Sequence, residues 1–160
     1  MQSSIAAFDT FLQESNSDSM DWADGGGADD ADRLLGMLSR QEWGQLKYLY
    51  KSRDAKWRAS LASVLRPQQG EDAERLMLDL AWDQDGEVAF LAVSSIAFYC
   101  GINEAAKGPF IDLKIRIPSF LSRAKTTAGL ADQTRRVSAR CHTHLQRRLE
   151  FFARLLESEV

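Results

Sequence analysis

The sequence predicts an all-α protein, and three observations point there. Only three prolines, Pro67, Pro109 and Pro118, occur in 160 residues, so long helices can run without interruption. Apolar residues recur at spacings of three and four along most of the chain. Helix-start residues such as Ser3, Ser39 and Asp54 stand ahead of these runs. The 44% apolar share suits a real core and is too high for general disorder.

The first helix is expected over residues 4–14, capped by Ser3 or Ser4, with Ile5, Phe8, Phe11 and Leu12 on one face. Residues 15–29 break every pattern: they are acidic, hold three consecutive glycines and contain one isolated aromatic, Trp22. They read as a flexible linker, which makes the first helix a detachable arm. The expected organisation is therefore an N-terminal helix with an acidic linker, 1–29, and a single helical domain, 30–160.

Asp30 is expected to cap a short helix through Leu38, burying Leu34, Leu35 and Met37. Ser39 and Glu42 form a capping box that opens a helix carrying Trp43, Leu46, Leu49 and Tyr50. Asp54 caps the next, whose stripe is Trp57, Leu61, Val64 and Leu65, and Pro67 and Gly70 end it. Residues 71–82 form a helix with an acidic first turn, as its dipole favours, and a stripe of Leu76, Met77 and Leu80. A turn at 83–86 leads to a strongly apolar helix, 87–100, that belongs deep in the core and stops at Gly101.

Residues 102–110 read as a short helical turn plus loop. The run 111–117 alternates apolar and charged residues as a half-buried strand would, but with no second alternating run to pair with it reads as helix or extended linker. Pro118 opens a helix through Lys125, and 126–129 is a break. A long last helix is expected from about Leu130 to Glu157. Its buried stripe is Val137, Cys141, Leu145, Leu149, Phe152 and Leu156, with Arg136, Arg140, Arg147 and Arg154 on the opposite side.

Leu76, Leu80, Asp83, Asp85, Glu87, Val88, Ala92 and Ile96 make a further pattern. With these residues the segment 76–100 resembles a HEAT-type helical repeat, two antiparallel helices joined by a turn that often reads Asp-x-Asp-x-Glu-Val. A basic residue usually follows the valine; Ala89 stands there instead, so one turn contact of the family is missing. Residues 39–66 also give helix, turn, helix, without the turn signature. The resemblance implies a short HEAT-like stack of antiparallel helix pairs closed by the long C-terminal helix. It implies a scaffold for protein or nucleic-acid recognition and no reaction.

The chemistry-bearing residues form no established catalytic pattern. Gly25-Gly26-Gly27 lacks the Lys-Ser/Thr ending of a phosphate loop. Cys141, His142 and His144 crowd one helix and point in different directions, against a zinc site. Asp83, Asp85 and Glu87 alternate like calcium ligands, but Gly86 is misplaced for an EF-hand and Ser94 stands where the last acid is needed. The paired acids of 71–87 are explained by a helix start and a turn rather than by hydrolysis. Neither a cofactor nor enzymatic activity is expected.

The net charge of −3 hides blocks of opposite sign. Residues 1–38 hold eight acids and one base, and 71–87 hold seven acids and one base. Residues 39–70 hold seven bases and two acids, and 114–148 hold nine bases and one acid. Such blocks steer a charged partner or pair with each other.

The favoured expectation is a protein partner with a basic surface, met by Asp21, Trp22, Asp24, Asp72, Glu74, Asp79, Asp83 and Asp85. Trp22 is read either as an anchor for a basic pocket or as a ring tucked onto the protein's own surface. Trp43, Trp57 and Trp82 are read as core. The most concrete form of this function is an immunity protein that sterically masks a toxin. The alternative is nucleic-acid binding through the basic region 114–148, with Arg136, Arg140, Arg147 and Arg148 on phosphates. No apolar run reaches bilayer length, the N-terminus lacks the basic start of a secretory signal, and Cys100 and Cys141 read as reduced thiols. A cytoplasmic location is expected.

Overall fold

The computed structural model describes residues 2–159 and is all-α apart from one small hairpin. Among the described residues there are ten α-helices and two short antiparallel strands. The chain divides into two compact units, 1–76 and 77–160, and the division falls within a helix.

In the first unit, α1 (Ser4–Glu14) begins at Ser3, whose hydroxyl accepts from the Ala6 N–H at 3.3 Å. The segment expected to be a linker instead forms α2 (Met20–Ala23) and the start of α3 (Gly27–Gly36). Gly26, at φ +87°, supplies the left-handed turn that launches α3, so this helix starts ahead of Asp30. The expected boundary at 29/30 lies inside α3. Ser39 and Glu42 close a capping box on α4 (Arg40–Leu49), and Asp54 caps α5 (Ala55–Val64) by accepting from the Trp57 N–H at 2.8 Å.

The arm is part of this unit's core. Phe8 is fully buried and stands edge-on to Trp57, with ring centroids 6.2 Å apart. Asp9 accepts from Arg53 Nε at 2.8 Å, and Asp32 binds Arg66 and Gln69. Ala31, Leu35, Leu46 and Leu61 complete the core, whereas Met37, expected inside, is exposed. Burial of Phe8 and Leu12 by α3, α4 and α5 is what ties α1 down.

α6 (Glu71–Leu80) has its acids, Glu71, Asp72 and Glu74, in the first turn, where the helix dipole favours them.

In the second unit, α7 (Gly86–Tyr99) buries Val88, Ala92, Val93, Ile96 and Ala97. Asp85 caps it, accepting from the Glu87 and Val88 N–H groups at 3.0 and 3.1 Å. The stretch expected to be helical turn and loop is a β-hairpin, β1 (Ile102–Ala105) with β2 (Gly108–Ile111), paired Ile102 to Ile111 and Ala105 to Gly108. The turn at 106–107 has no left-handed residue of its own; Gly108 follows it at φ +119°, a conformation that glycine adopts freely.

Only Ile111 of the alternating run is strand. Asp112 then turns the chain: its carboxylate accepts from the Lys114 N–H at 3.0 Å, and its own N–H donates to the Gly101 carbonyl. Arg116 Nε donates to the Cys100 carbonyl at 3.0 Å, pinning the segment to the end of α7.

Pro118 is the first residue of α8 (Pro118–Thr126). The long terminal helix is a correction: it is two helices, α9 (Leu130–Ser138) and α10 (Thr143–Glu157). His142, at φ −66° and ψ 158°, is extended and starts α10 afresh. The break spans 139–142, and Cys141 and His142 in it, like Thr143 and His144 that open α10, are weak helix formers that a stripe of apolar residues does not register. The two helices pack on each other, with Ser138 Oγ donating to the Gln146 carbonyl and Arg135 bound to Glu157. Phe120, Leu130, Leu149 and Phe152 fill the core of this unit.

Candidate functional site

The break between α9 and α10 opens a groove in the second unit, about 540 Å³ in volume, against the first turns of α7. Its apolar lining is Ala89, Phe90, Val137 and Leu145. Asp83 and Glu87 line it from the chain before and at the start of α7, and Arg136 and Arg140 from α9 and the break. The local sequence explains each placement. The Asp85 cap fixes where α7 begins and so where Glu87 and Phe90 project. Arg140 lies against Gly86, where a Cβ would come 3.6 Å from its guanidinium.

Among the described residues, Glu87, Arg136 and Arg140 form no ion pair, so charges of both signs line an apolar groove without neutralising each other. A concave apolar surface with a few convergent polar groups is the usual form of a binding site.

The groove also holds Cys141 and His142. The Cys141 thiol donates to the Val137 carbonyl at 3.3 Å, and burial pushes its pKa up. Burial pushes the Cys100 thiol up to about 12, against the opposing pull of Arg116 and Lys125. Both are thiols rather than thiolates near neutral pH, so neither is an activated nucleophile. Among the described residues no three His, Cys, Asp or Glu side chains gather to hold a metal ion.

The residues expected to act together fall in two different units. Asp21 and Asp24 are exposed in the first unit, but Trp22 between them is 7% exposed and packs as a buried ring. The reading of Trp22 as a free anchor is therefore corrected to the ring tucked onto its own protein. Asp72 is held by Lys47 at 3.0 Å, and Glu74 is half-buried; both belong to the first unit.

Asp79, Asp83 and Asp85 belong to the second unit. Asp83 accepts from the Asp85 N–H at 2.9 Å and Asp85 caps α7, so both carboxylates are occupied by the local backbone. The exposed tryptophan is Trp82, at 39%, although its position beside the α6 stripe suggested core. It sits in the turn that follows α6, two residues past Leu80, with its ring beside Gly129.

The four arginines do not share one surface. Arg136 and Arg140 line the groove. Arg148 is half-buried and donates to the Ser94 and Ile102 carbonyls at 3.3 and 3.4 Å, and burial lowers its pKa. Arg148 is thus a structural clamp on α7 and β1. Arg147 points elsewhere, onto the tip of the hairpin.

Among the described residues, no helix is long and apolar enough to cross a membrane. No protein-family model matches the chain, and no curated protein or solved structure matches it.

Proposed function

We propose that this chain is a non-enzymatic protein-binding module, and that the groove lined by Phe90, Val137 and Leu145 receives a segment of its partner. The observation that carries the reading is the pairing of an apolar lining with uncompensated Glu87 on α7, Arg136 on α9 and Arg140 in the break that follows. Apolar burial supplies affinity, while opposed charges set orientation and reject segments of the wrong pattern. Trp82 is a large, partly exposed ring in the same unit, the residue type that most often dominates interface energetics.

The resemblance of 76–100 to a HEAT-type pair fits a recognition scaffold. The most specific form of the proposal is a cytoplasmic immunity protein that covers a toxin's working surface. The structure-based site revises how it would do so: the masking contact is centred on the groove and Trp82, since Trp22 is buried and Asp72, Asp83 and Asp85 are already engaged.

Affinity purification of the tagged chain from its native cells tests this. The expected result is one protein recovered at near-equimolar ratio, lost with Arg136→Glu/Arg140→Glu at unchanged circular dichroism. Retention of that protein by the double variant would overturn the groove assignment. If co-expression of the chain fails to relieve growth arrest by the recovered protein, the immunity form falls and the binding reading stands.

A further inference from the structure

A second basin lies in the same unit and shares no lining residue with the groove. It is about 660 Å³, of mixed polar and apolar lining, bounded by α10 and the tip of the β-hairpin, with Arg135 and Glu150 also at its edge. Arg147, Phe151 and Arg154 follow one another on α10 at spacings of four and three, so they form one stripe. Lys107 faces them from the hairpin turn.

The charges divide cleanly. Arg135 is committed to Glu157, Glu150 and Asp132. Lys107, Arg147 and Arg154 form no ion pair among the described residues, so three cations surround the basin uncompensated.

Two of these groups are held in place. Arg147 Nη2 donates to the Lys107 carbonyl at 3.4 Å and occupies the space over Gly108, where a Cβ would come within 2.8 Å of it. The Arg154 guanidinium sits 5.9 Å from the centre of the half-exposed Phe151 ring. Pre-ordered guanidinium groups with an aromatic ring between them suit an anion that carries a flat ring of its own.

We propose that this basin binds a short single-stranded nucleic-acid segment, with phosphates on Arg147, Arg154 and Lys107 and a base against Phe151. An unpaired base is required, because a base within a duplex cannot reach an aromatic face. The stripe from Arg147 to Arg154 is about 10 Å long at 1.5 Å per residue, enough for a few nucleotides and short for a duplex footprint. The carboxylates of an acidic peptide meet the same cations but carry no ring joined to the anion, as a nucleotide does, to set on Phe151. The site does not depend on the groove, and the two readings stand or fall separately.

The test is fluorescence anisotropy of the whole chain with a fluorescein-labelled oligouridylate octamer at roughly 50 mM salt, where phosphate contacts are strong. Binding is expected to weaken with salt, with a log–log slope of about −2, as for three phosphates on a single strand. Arg147→Ala/Arg154→Ala is expected to weaken it at least tenfold, and Arg147→Lys/Arg154→Lys to restore part of the loss. Phe151→Leu is expected to weaken it about fivefold or more without changing the salt slope, because stacking releases no counterions. Arg136→Ala, in the groove, is expected to leave it within twofold.

Thermal melts of each variant separate lost binding from lost folding. No binding at low salt overturns the proposal. So does tighter binding of the matching duplex. A labelled oligoglutamate that binds as well as the octamer, with Phe151→Leu neutral for both, also overturns it and assigns the basin to acidic peptides.

Discussion

The Glu42 carboxylate holds the starts of two helices at once. One oxygen accepts from the Ser39 N–H at 2.9 Å and closes the capping box of α4; the other accepts from the Ile5 N–H at 3.1 Å in the first turn of α1. A single side chain thus satisfies donors that lie far apart in sequence, and it helps dock the arm.

These contacts predict a pH dependence. The Ser39 N–H, and after it the Ile5 N–H, hold the Glu42 carboxyl below its ordinary value of 4.5. A folded pKa below the unfolded one gives stability that is full above the unfolded value and is lost as pH falls through the folded one. Glu42→Gln is therefore expected to lower Tm at neutral pH and to flatten the fall of Tm below pH 4.5. Glu157, lowered by Arg135, titrates in the same direction in both proteins, so their difference isolates Glu42. Parallel Tm curves would refute the bridging role.

Phe8 tests whether the arm belongs to the core. Its ring is fully buried against Trp57, so Phe8→Ala is expected to cost about 3–5 kcal/mol in urea unfolding. A cost within about 0.5 kcal/mol, the range of surface changes, would mean that α1 is undocked in solution.

The two cysteines should differ in reactivity. Cys100 is buried with its pKa pushed up to about 12, while Cys141 is half-buried at the groove and raised by burial. A disulfide reagent at pH 8 is expected to label one thiol in the native protein, more slowly than a free thiol, and two in denaturant. Cys141→Ser should abolish the native reaction. Equal labelling of both would contradict the packing of α7.

Trp82 should be the tryptophan that solvent reaches. Trp22, Trp43 and Trp57 are buried, and Trp82 is not. Acrylamide is expected to quench a red-shifted fraction of the fluorescence that disappears in Trp82→Phe. If Trp22→Phe removed that fraction instead, the segment before α3 would be open, as a linker would be.

Much of the helical order is written in local chemistry. Ser3, the Ser39–Glu42 box, Asp54, Asp85 and Pro118 each mark a helix start through their own hydrogen-bonding or fixed φ, with no need of distant contacts. What local chemistry does not carry depends on neighbours far along the chain. The glycines at 25–27 read as a break, yet Gly26 serves as the launch of α3. The hairpin at 102–111 is not legible in sequence because strands of four residues are too short for alternation to stand out.

The apolar stripe of the last segment continues across the break at 139–142, because α9 and α10 each turn an apolar face to the same unit. That break is what creates the groove. Of the candidate site, Arg136 and Arg140 are legible in sequence as a charged face, but their meeting with Phe90 and Glu87 depends on the packing of α7 against α9. Trp82 was hidden for the opposite reason: its position beside an apolar stripe says core, and only the end of α6 exposes it.

The groove is the centre of the account, and photo-crosslinking in native cells tests it most directly. Benzoylphenylalanine placed at Phe90 or Leu145 is expected to give one discrete adduct of the same mass, lost with Arg136→Glu/Arg140→Glu. The same probe at exposed Leu113, in the same unit and outside the groove lining, is expected to give none. No adduct from either groove position, or an equal one from Leu113, would contradict it.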